Sequence, residues 1–316
     1  MRRTLIALAS AVVLGAAMVA PAAAITGDYR DDAEHTFVGL VAFYDSDWEF
    51  IHRCTGELLS PTVLLTAGHC TNDDSLPDGA VAAHARVWIL QDVGSHYDAA
   101  TEHDPVTGYP DSCTGTLGDG IADGWCAESS TMYNYGFDNF AGFPNIHDLG
   151  VVILDQPIQL DEYGELAGAN TVDTLQTARG TQDPTMRVSG YGLSLRHLTP
   201  AKGPNAGTGP SAYTISFRIR LQGDMTFNNL RTSNSGGWTL EANGNGLDQS
   251  GTCNGDSGGP VFWPSTSNQI VAVSSWGWLN AGCRGTGYYY RTDLQQSLDW
   301  IRSVVGEELW AGITVN

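Results

Sequence analysis

Lysine is nearly missing from this sequence: Lys202 is the only one in 316 residues. With 15 basic against 35 acidic side chains, the formal net charge is −20 at pH 7. A field of that sign repels phosphate backbones and anionic lipid headgroups, so the composition argues against nucleic acid and membrane surfaces as partners. Long apolar runs are missing too beyond Ala20, and nothing further along the chain would span a bilayer. No Cys/His cluster has structural-zinc spacing and no acidic run fits an EF-hand loop. Gly244 and Gly246 are too isolated for a nucleotide loop. There are no internal repeats. No cofactor and no metal are expected.

What is present begins with a separate N-terminal object. Arg2 and Arg3 precede an apolar run from Leu5 to Ala20, followed by Pro21 and Ala22-Ala23-Ala24. A basic start, an apolar stretch and a small-residue cleavage site make a secretory signal peptide over 1–24. A soluble, exported chain from Ile25 to Asn316 is expected, with secreted localisation. Removing two arginines and no acids leaves 13 basic against 35 acidic groups, a net of −22.

In an exported chain the six cysteines (54, 70, 113, 126, 253 and 283) imply disulfides, not thiol chemistry. The 38 glycines, scattered aromatics and short apolar runs read as strands closed by turns. A chain this long can bury one large core or two smaller ones.

Three stretches carry chemistry. "GTCNGDSGGP" (251–260) surrounds Ser257 with glycines, which admit backbone conformations a Cβ forbids and can aim N–H groups at a ligand. "CTGELLSPTVLLTAGHC" (54–70) ends an apolar strand in Ala67-Gly68-His69-Cys70, where a neighbouring disulfide would fix the backbone of a candidate base. "NIHDLGVVILDQP" places Asp148 at the head of an apolar strand, Leu149–Leu154. A carboxylate there needs a partner, since burying it unpaired is costly. A serine hydroxyl needs a base to remove its proton, and the imidazole needs a carboxylate on its other nitrogen. The chain order His69, Asp148, Ser257 differs from that of subtilisins and of α/β-hydrolases.

"LLTAGHC", "HDLGVVIL", "VSGYG" (188–192), "CNGDSGGP" and "SSWG" (274–277) occur here in one order. That series resembles the chymotrypsin/trypsin family of serine endopeptidases, with the look of a bacterial secreted member. A C-terminal "SLDWIRSVV" resembles its closing helix, and the resemblance covers essentially the whole chain from Ile25, with inserted loops. It implies an all-β fold of two six-stranded antiparallel barrels with a C-terminal helix near 292–305.

The resemblance also implies roles. Ser257 would be the nucleophile, His69 the base and Asp148 its orienting acid, with the N–H groups of Gly255 and Ser257 forming an oxyanion hole. Ser275, Trp276 and Gly277 would pair with an extended polypeptide substrate, and Ser275 would also support Asp148. Gly251, Thr252, Gly277 and Gly287 would shape a specificity pocket. Gly251 stands where basic-selecting relatives carry an aspartate, so a large apolar or aromatic residue before the cut is expected. Arg284 at the rim is a weaker pointer toward acidic side chains.

Ile25-Thr26-Gly27-Asp28 resembles the family's activating N-terminus, which would pair with Asp256. Cys54–Cys70 and Cys253–Cys283 match family disulfides, leaving Cys113 and Cys126 to each other. Met186 and Trp263 stand where a further bridge is common, and an apolar contact is expected there. The partners implied are polypeptide substrates and protein protease inhibitors, with the enzyme a monomer. The insert at 93–140 reads as a stapled surface loop whose aromatic end, "MYNYGFDNFAGF", could line the cleft; calcium on Asp98, Glu102, Asp104 or Asp111 is the weaker reading. Lys202, in the Pro/Gly-rich loop 198–212, reads as a nicking site. A catalytically silent binding protein on the same scaffold is the competing expectation.

Overall fold

A computed structural model describes residues 25–72, 82–93, 107–110, 113, 125–176, 184–197, 211–214, 217–244, 248–279, 283 and 285–316. Asp98, Glu102, Asp104, Asp111, Lys202 and Arg284 lie outside them, as does the proposed signal peptide.

Two antiparallel barrels make up the molecule. In the first, seven strands follow one path: Cys126–Ser129, His84–Trp88, Val38–Tyr44, Phe50–Leu58, Val63–Thr66, Gly150–Ile153 and Thr131–Asn134. The path nearly closes on itself, because the two end strands are consecutive in the chain. Ser129 ties that seam, its Oγ donating to the carbonyls of Thr131 and Ile153. The second barrel is closed by six strands: Gln269–Leu279, Pro260–Phe262, Thr185–Gly190, Leu221–Asn229, Thr239–Asn243 and Gly285–Arg291, which returns to the first of these. Six strands in each were expected; the extra one comes from the hairpin at 126–134, inside the insert. Gln295–Trp310 forms the C-terminal helix, longer at its end than the sequence suggested and interrupted by Gly306 at φ +78°. Among the described residues no helix is long and apolar enough to cross a membrane.

Strands of both barrels are buried on both faces, Val38–Tyr44, Val63–Thr66 and Pro260–Phe262 at every position. The first core is built on Phe37, Leu40, Leu64, Trp88 and Val151, and the second on Ile25, Met186, Val188, Leu240 and Val271. Met186 and Trp263 both belong to the second cluster, Trp263 at its partly exposed edge. Disulfides join Cys54 to Cys70, Cys113 to Cys126 and Cys253 to Cys283. Between the barrels, buried Arg220 donates to the carbonyls of Asp32, Val38 and Ile89. Tyr191 reaches across to the carbonyl of Leu90 at 2.6 Å.

One core position breaks the apolar rule. Glu57 is fully buried, flanked in register by Val38 and Leu65, and neither carboxylate oxygen has a hydrogen-bond partner. Burial alone pushes its carboxyl well above the ordinary 4.5, which favours the neutral acid in the fold. A raised folded pKa means that stability is lost as pH climbs above the unfolded value, at about 1.4 kcal/mol per pH unit until the folded pKa is reached. Glu57→Gln should therefore gain stability over the parent progressively above pH 4.5, checked by urea unfolding at a series of pH values.

Candidate active site

The candidate base and acid both come from the first barrel. The Val63–Thr66 strand ends in a single helical turn, Gly68–Thr71, that carries His69 and is pinned by the Cys54–Cys70 bridge. Asp148 precedes the adjoining strand Gly150–Ile153. His147 adopts φ +49° and its carbonyl accepts from Leu149 N–H at 2.9 Å. That tight turn directs the Asp148 side chain inward, where it is only 1 % exposed. Asp148 accepts the His69 backbone N–H at 2.8 Å, and Nδ1 of His69 lies 2.9 and 3.1 Å from its two oxygens.

A further bond to Asp148 crosses from the second barrel. The Gln269–Leu279 strand has a bulge between Ser274 and Trp276, and a bulge re-aims a side chain. Here it turns Ser275 Oγ onto Asp148 Oδ2. Burial by itself would raise the Asp148 carboxyl, but the facing His69 charge and the bonds from His69 and Ser275 outweigh it and hold the pKa below its ordinary value.

Ser257 sits in the loop between Ser250–Gly251 and Pro260–Phe262. The loop is folded around Asp256. This buried carboxylate accepts N–H bonds from Gly192 and Cys253, both at 2.8 Å, and from Ile25. A Cβ at Gly192 would lie 2.6 Å from the Asp256 carboxyl carbon, which is why "VSGYG" ends in glycine. Gly255 takes φ +92°, so its peptide can turn out of the loop. Among the described residues the N–H groups of Gly255 and Ser257 donate to no backbone carbonyl. Thr55 joins this loop to the first barrel: its N–H donates to the Ser257 carbonyl at 2.8 Å and its Oγ1 to the Gly255 carbonyl at 2.9 Å. Burial pushes the Asp256 carboxyl up to about 7, the three N–H bonds offsetting only part of that penalty.

A cleft of about 420 Å³ opens beside Ser257, bordered by Thr252, Cys253, Asn254, Ser274, Trp276 and Gly277, with Ser275 also on its wall. Among the described residues no charged side chain lines it. Gly251 and Gly287 do not border it. Gly251 is paired with Thr26, and a Cβ at Gly287 would meet the Tyr289 hydroxyl at 2.6 Å. Leu193 and Asn254 join the wall without having been marked in the sequence; only Asn254's place in "CNGDSGGP" hinted at it. The Cys54, His69 and Cys70 ligand atoms lie within 4.8 Å of one another, but both sulfurs are committed to a disulfide, so the group does not suit a metal.

Gly255-Asp256-Ser257-Gly258-Gly259 also satisfies the spacing of the Gly-x-Ser-x-Gly elbow. That elbow is a strand-to-helix turn, whereas here the strand Pro260–Phe262 follows.

The trypsin family model matches residues 134–301. This chain belongs to the trypsin family. The matched region holds Asp148 and Ser257, and the geometry adds His69 from outside it. CLIP domain-containing serine protease B10 of Anopheles gambiae is 24% identical over 289 residues, 88% of this chain and 68% of that protein. The structure of HL collagenase superposes with a TM-score of 0.55 at 15% identity, covering 89% of this chain and 97% of that one. A scabies mite inactivated protease paralogue, S-D1, superposes with 0.54 at 15% identity over the same shares. The trypsin-family fold is thus shared with proteins called proteases and with one called inactivated.

In this trypsin-family chain, removing the Ser275 hydroxyl should matter most when Asp148 is charged. The lowered pKa contributes stability above the unfolded value of 3.8, lost as pH falls through the folded pKa. Ser275→Ala should cost about 1.5–3 kcal/mol at pH 7, shrinking once the carboxylate is protonated. Urea unfolding of both proteins at pH 7 and at acid pH measures the difference.

Proposed function

We propose that this chain is a secreted, bacterial-type serine endopeptidase. The observation that carries the reading is the pre-bonded pair of His69 and buried Asp148, tied through Ser275 to the cleft wall that Ser275 and Ser257 share. Ser257 Oγ attacks the scissile carbonyl as His69 Nε2 takes its proton. The negative oxygen that develops is met by the N–H groups of Gly255 and Ser257, the kind of preorganised donor pair that dominates such catalysis. His69 then passes the proton to the leaving amine, and water repeats the sequence on the acyl-enzyme. Asp148 keeps Nδ1 occupied as the hydrogen-bond donor and balances the imidazolium.

An extended substrate chain would add as a strand along Ser275-Trp276-Gly277. The described walls of the cleft beside Ser257 carry no charge, which suits a large apolar or aromatic side chain. Phe140, Phe143 and Trp276, with Gly277, line a second, apolar cavity of about 500 Å³. Both phenylalanines are about two-fifths exposed, at 40% and 41%, and they set edges toward Trp276 at 5.8 and 5.7 Å. A second apolar substrate residue, upstream of the cut, fits there.

Activation belongs to the same reading. Ile25 is buried in the second core with its backbone N–H on Asp256, and among the described residues Asp256 has no cation beside it. Cleavage after Ala24, at the end of a signal peptide over 1–24, would turn that N–H into an α-ammonium and supply the missing charge. The peptidase unit is then 25–316. An ammonium with an ordinary pKa of about 8 is lost as pH rises, so activity should fall on the alkaline side.

The inactivated paralogue on the same fold gives the second reading, a silent binding protein. Turnover separates the two. On a panel of peptides, cleavage should follow large apolar residues, Ser257→Ala should lower kcat about 10⁶-fold and Asp148→Asn about 10⁴-fold, and the secreted chain should begin at Ile25. Cleavage only after arginine would refute the pocket assignment. Wild-type turnover in Ser257→Ala would refute the nucleophile.

A further inference from the structure

Asn134, at the end of the Thr131–Asn134 strand, is bonded on both ends of its amide. Its Nδ2 donates to the Gly68 carbonyl at 2.7 Å, to Thr71 Oγ1 at 3.2 Å and to the Asn72 carbonyl at 3.4 Å. These three groups frame the turn that carries His69. Its Oδ1 accepts the N–H groups of Gly136 and Phe137, both at 2.7 Å. Carbonyls only accept and backbone N–H groups only donate, so the amide has one workable orientation. An aspartate could serve the second pair and not the first, and an alanine neither.

The two clients are the two walls of the candidate site. Gly68 is packed against Phe137: a Cβ there would lie 3.1 Å from Phe137 Cβ and 3.0 Å from the Leu149 carbonyl. The Phe137 ring stands 5.7 Å from the His69 ring. Phe137 in turn meets Phe140 edge-on at 5.6 Å, and Phe140 meets Trp276. The far end of this loop is held to the second barrel, where Tyr290 donates to Asn145 Oδ1 at 2.8 Å. A continuous set of contacts therefore runs from the base to the apolar cavity, and Asn134 anchors its start.

We propose that Asn134 is a positioning residue that sets the His69 turn and the aromatic loop in one register, so that the placement of the base and the grip on an upstream apolar side chain depend on the same amide. The inference rests on the peptidase reading above. A displacement of about 1 Å at a reacting group can cost on the order of 10²-fold in rate.

The test is the split between kcat and KM in Asn134→Asp and Asn134→Ala, using peptides with either phenylalanine or glycine at the upstream position. Concentrations are set by active-site titration and temperatures lie below each variant's Tm. Asn134→Asp keeps the acceptor for Gly136 and Phe137. It should lose at least about tenfold in kcat while its phenylalanine-over-glycine preference in KM stays at the parent's. Asn134→Ala should lose kcat and also most of that preference. The proposal is overturned if Asn134→Asp turns over within twofold of the parent, or if both variants lower Tm and leave kcat and the preference intact. Should Asn134→Ala not fold, the Asn134→Asp result decides alone. A parent protein that cleaves no peptide would instead refute the peptidase reading.

Discussion

Everything about this site depends on a join between two barrels, and the join is made at Thr55. The loop that carries Ser257 belongs to the second barrel and His69 and Asp148 to the first, so neither half holds the candidate site alone. Thr55 holds the loop by both its N–H and its hydroxyl, at Ser257 and Gly255. Its Oγ1 also accepts from Tyr191 N–H at 3.0 Å, and its carbonyl accepts from Thr66 Oγ1 at 2.8 Å, one residue before Ala67 and the His69 turn. Gly258 is glycine for the same reason, because a Cβ there would lie 2.1 Å from Thr66 Oγ1. Ser275 returns the bond in the other direction, from the second barrel to Asp148.

Buried carboxylates show how environment divides one chemical group into several uses. Asp148 is buried but surrounded by donors and is kept charged. Asp32, beside His35, Arg220 and Ser189, is likewise held down, to about 2, and locks the segment after Ile25 onto the second barrel. Asp256 has N–H donors but, among the described residues, no cation, and its carboxyl rises to about 7. Glu57 has neither among the described residues, and burial pushes its carboxyl up. The strong negative surface charge supplies none of these partners; they come from backbone geometry and a few histidines, hydroxyls and arginines.

Legibility in the sequence followed locality. Ser257, His69 and Asp148 sit in short motifs whose glycines and cysteines record close backbone approaches, so all three could be picked out as candidates, and the pairing of His69 with Asp148 is found in the fold. Gly192 is one such record, written by the Asp256 carboxyl packed against it. The seventh strand of the first barrel could not be read, because Thr131–Asn134 pairs with Gly150–Ile153 only after the insert has turned back. Asn134 left no signal beyond a polar residue before a Gly turn: its partners at 68–72 are some 62 to 66 residues away. Nothing in "CTGELLSPTVLLTAGHC" sets Glu57 apart, and only the packing of Val38 and Leu65 beside it reveals a buried acid.

The central claim is that Ser257 is a nucleophile activated by His69. Treating the secreted protein with a fluorophosphonate and mapping the adduct by intact and peptide mass tests it most directly. One adduct per chain is expected, on Ser257, absent in a folded His69→Ala variant. A folded wild-type protein beginning at Ile25 that takes no adduct, or takes it elsewhere, would contradict it.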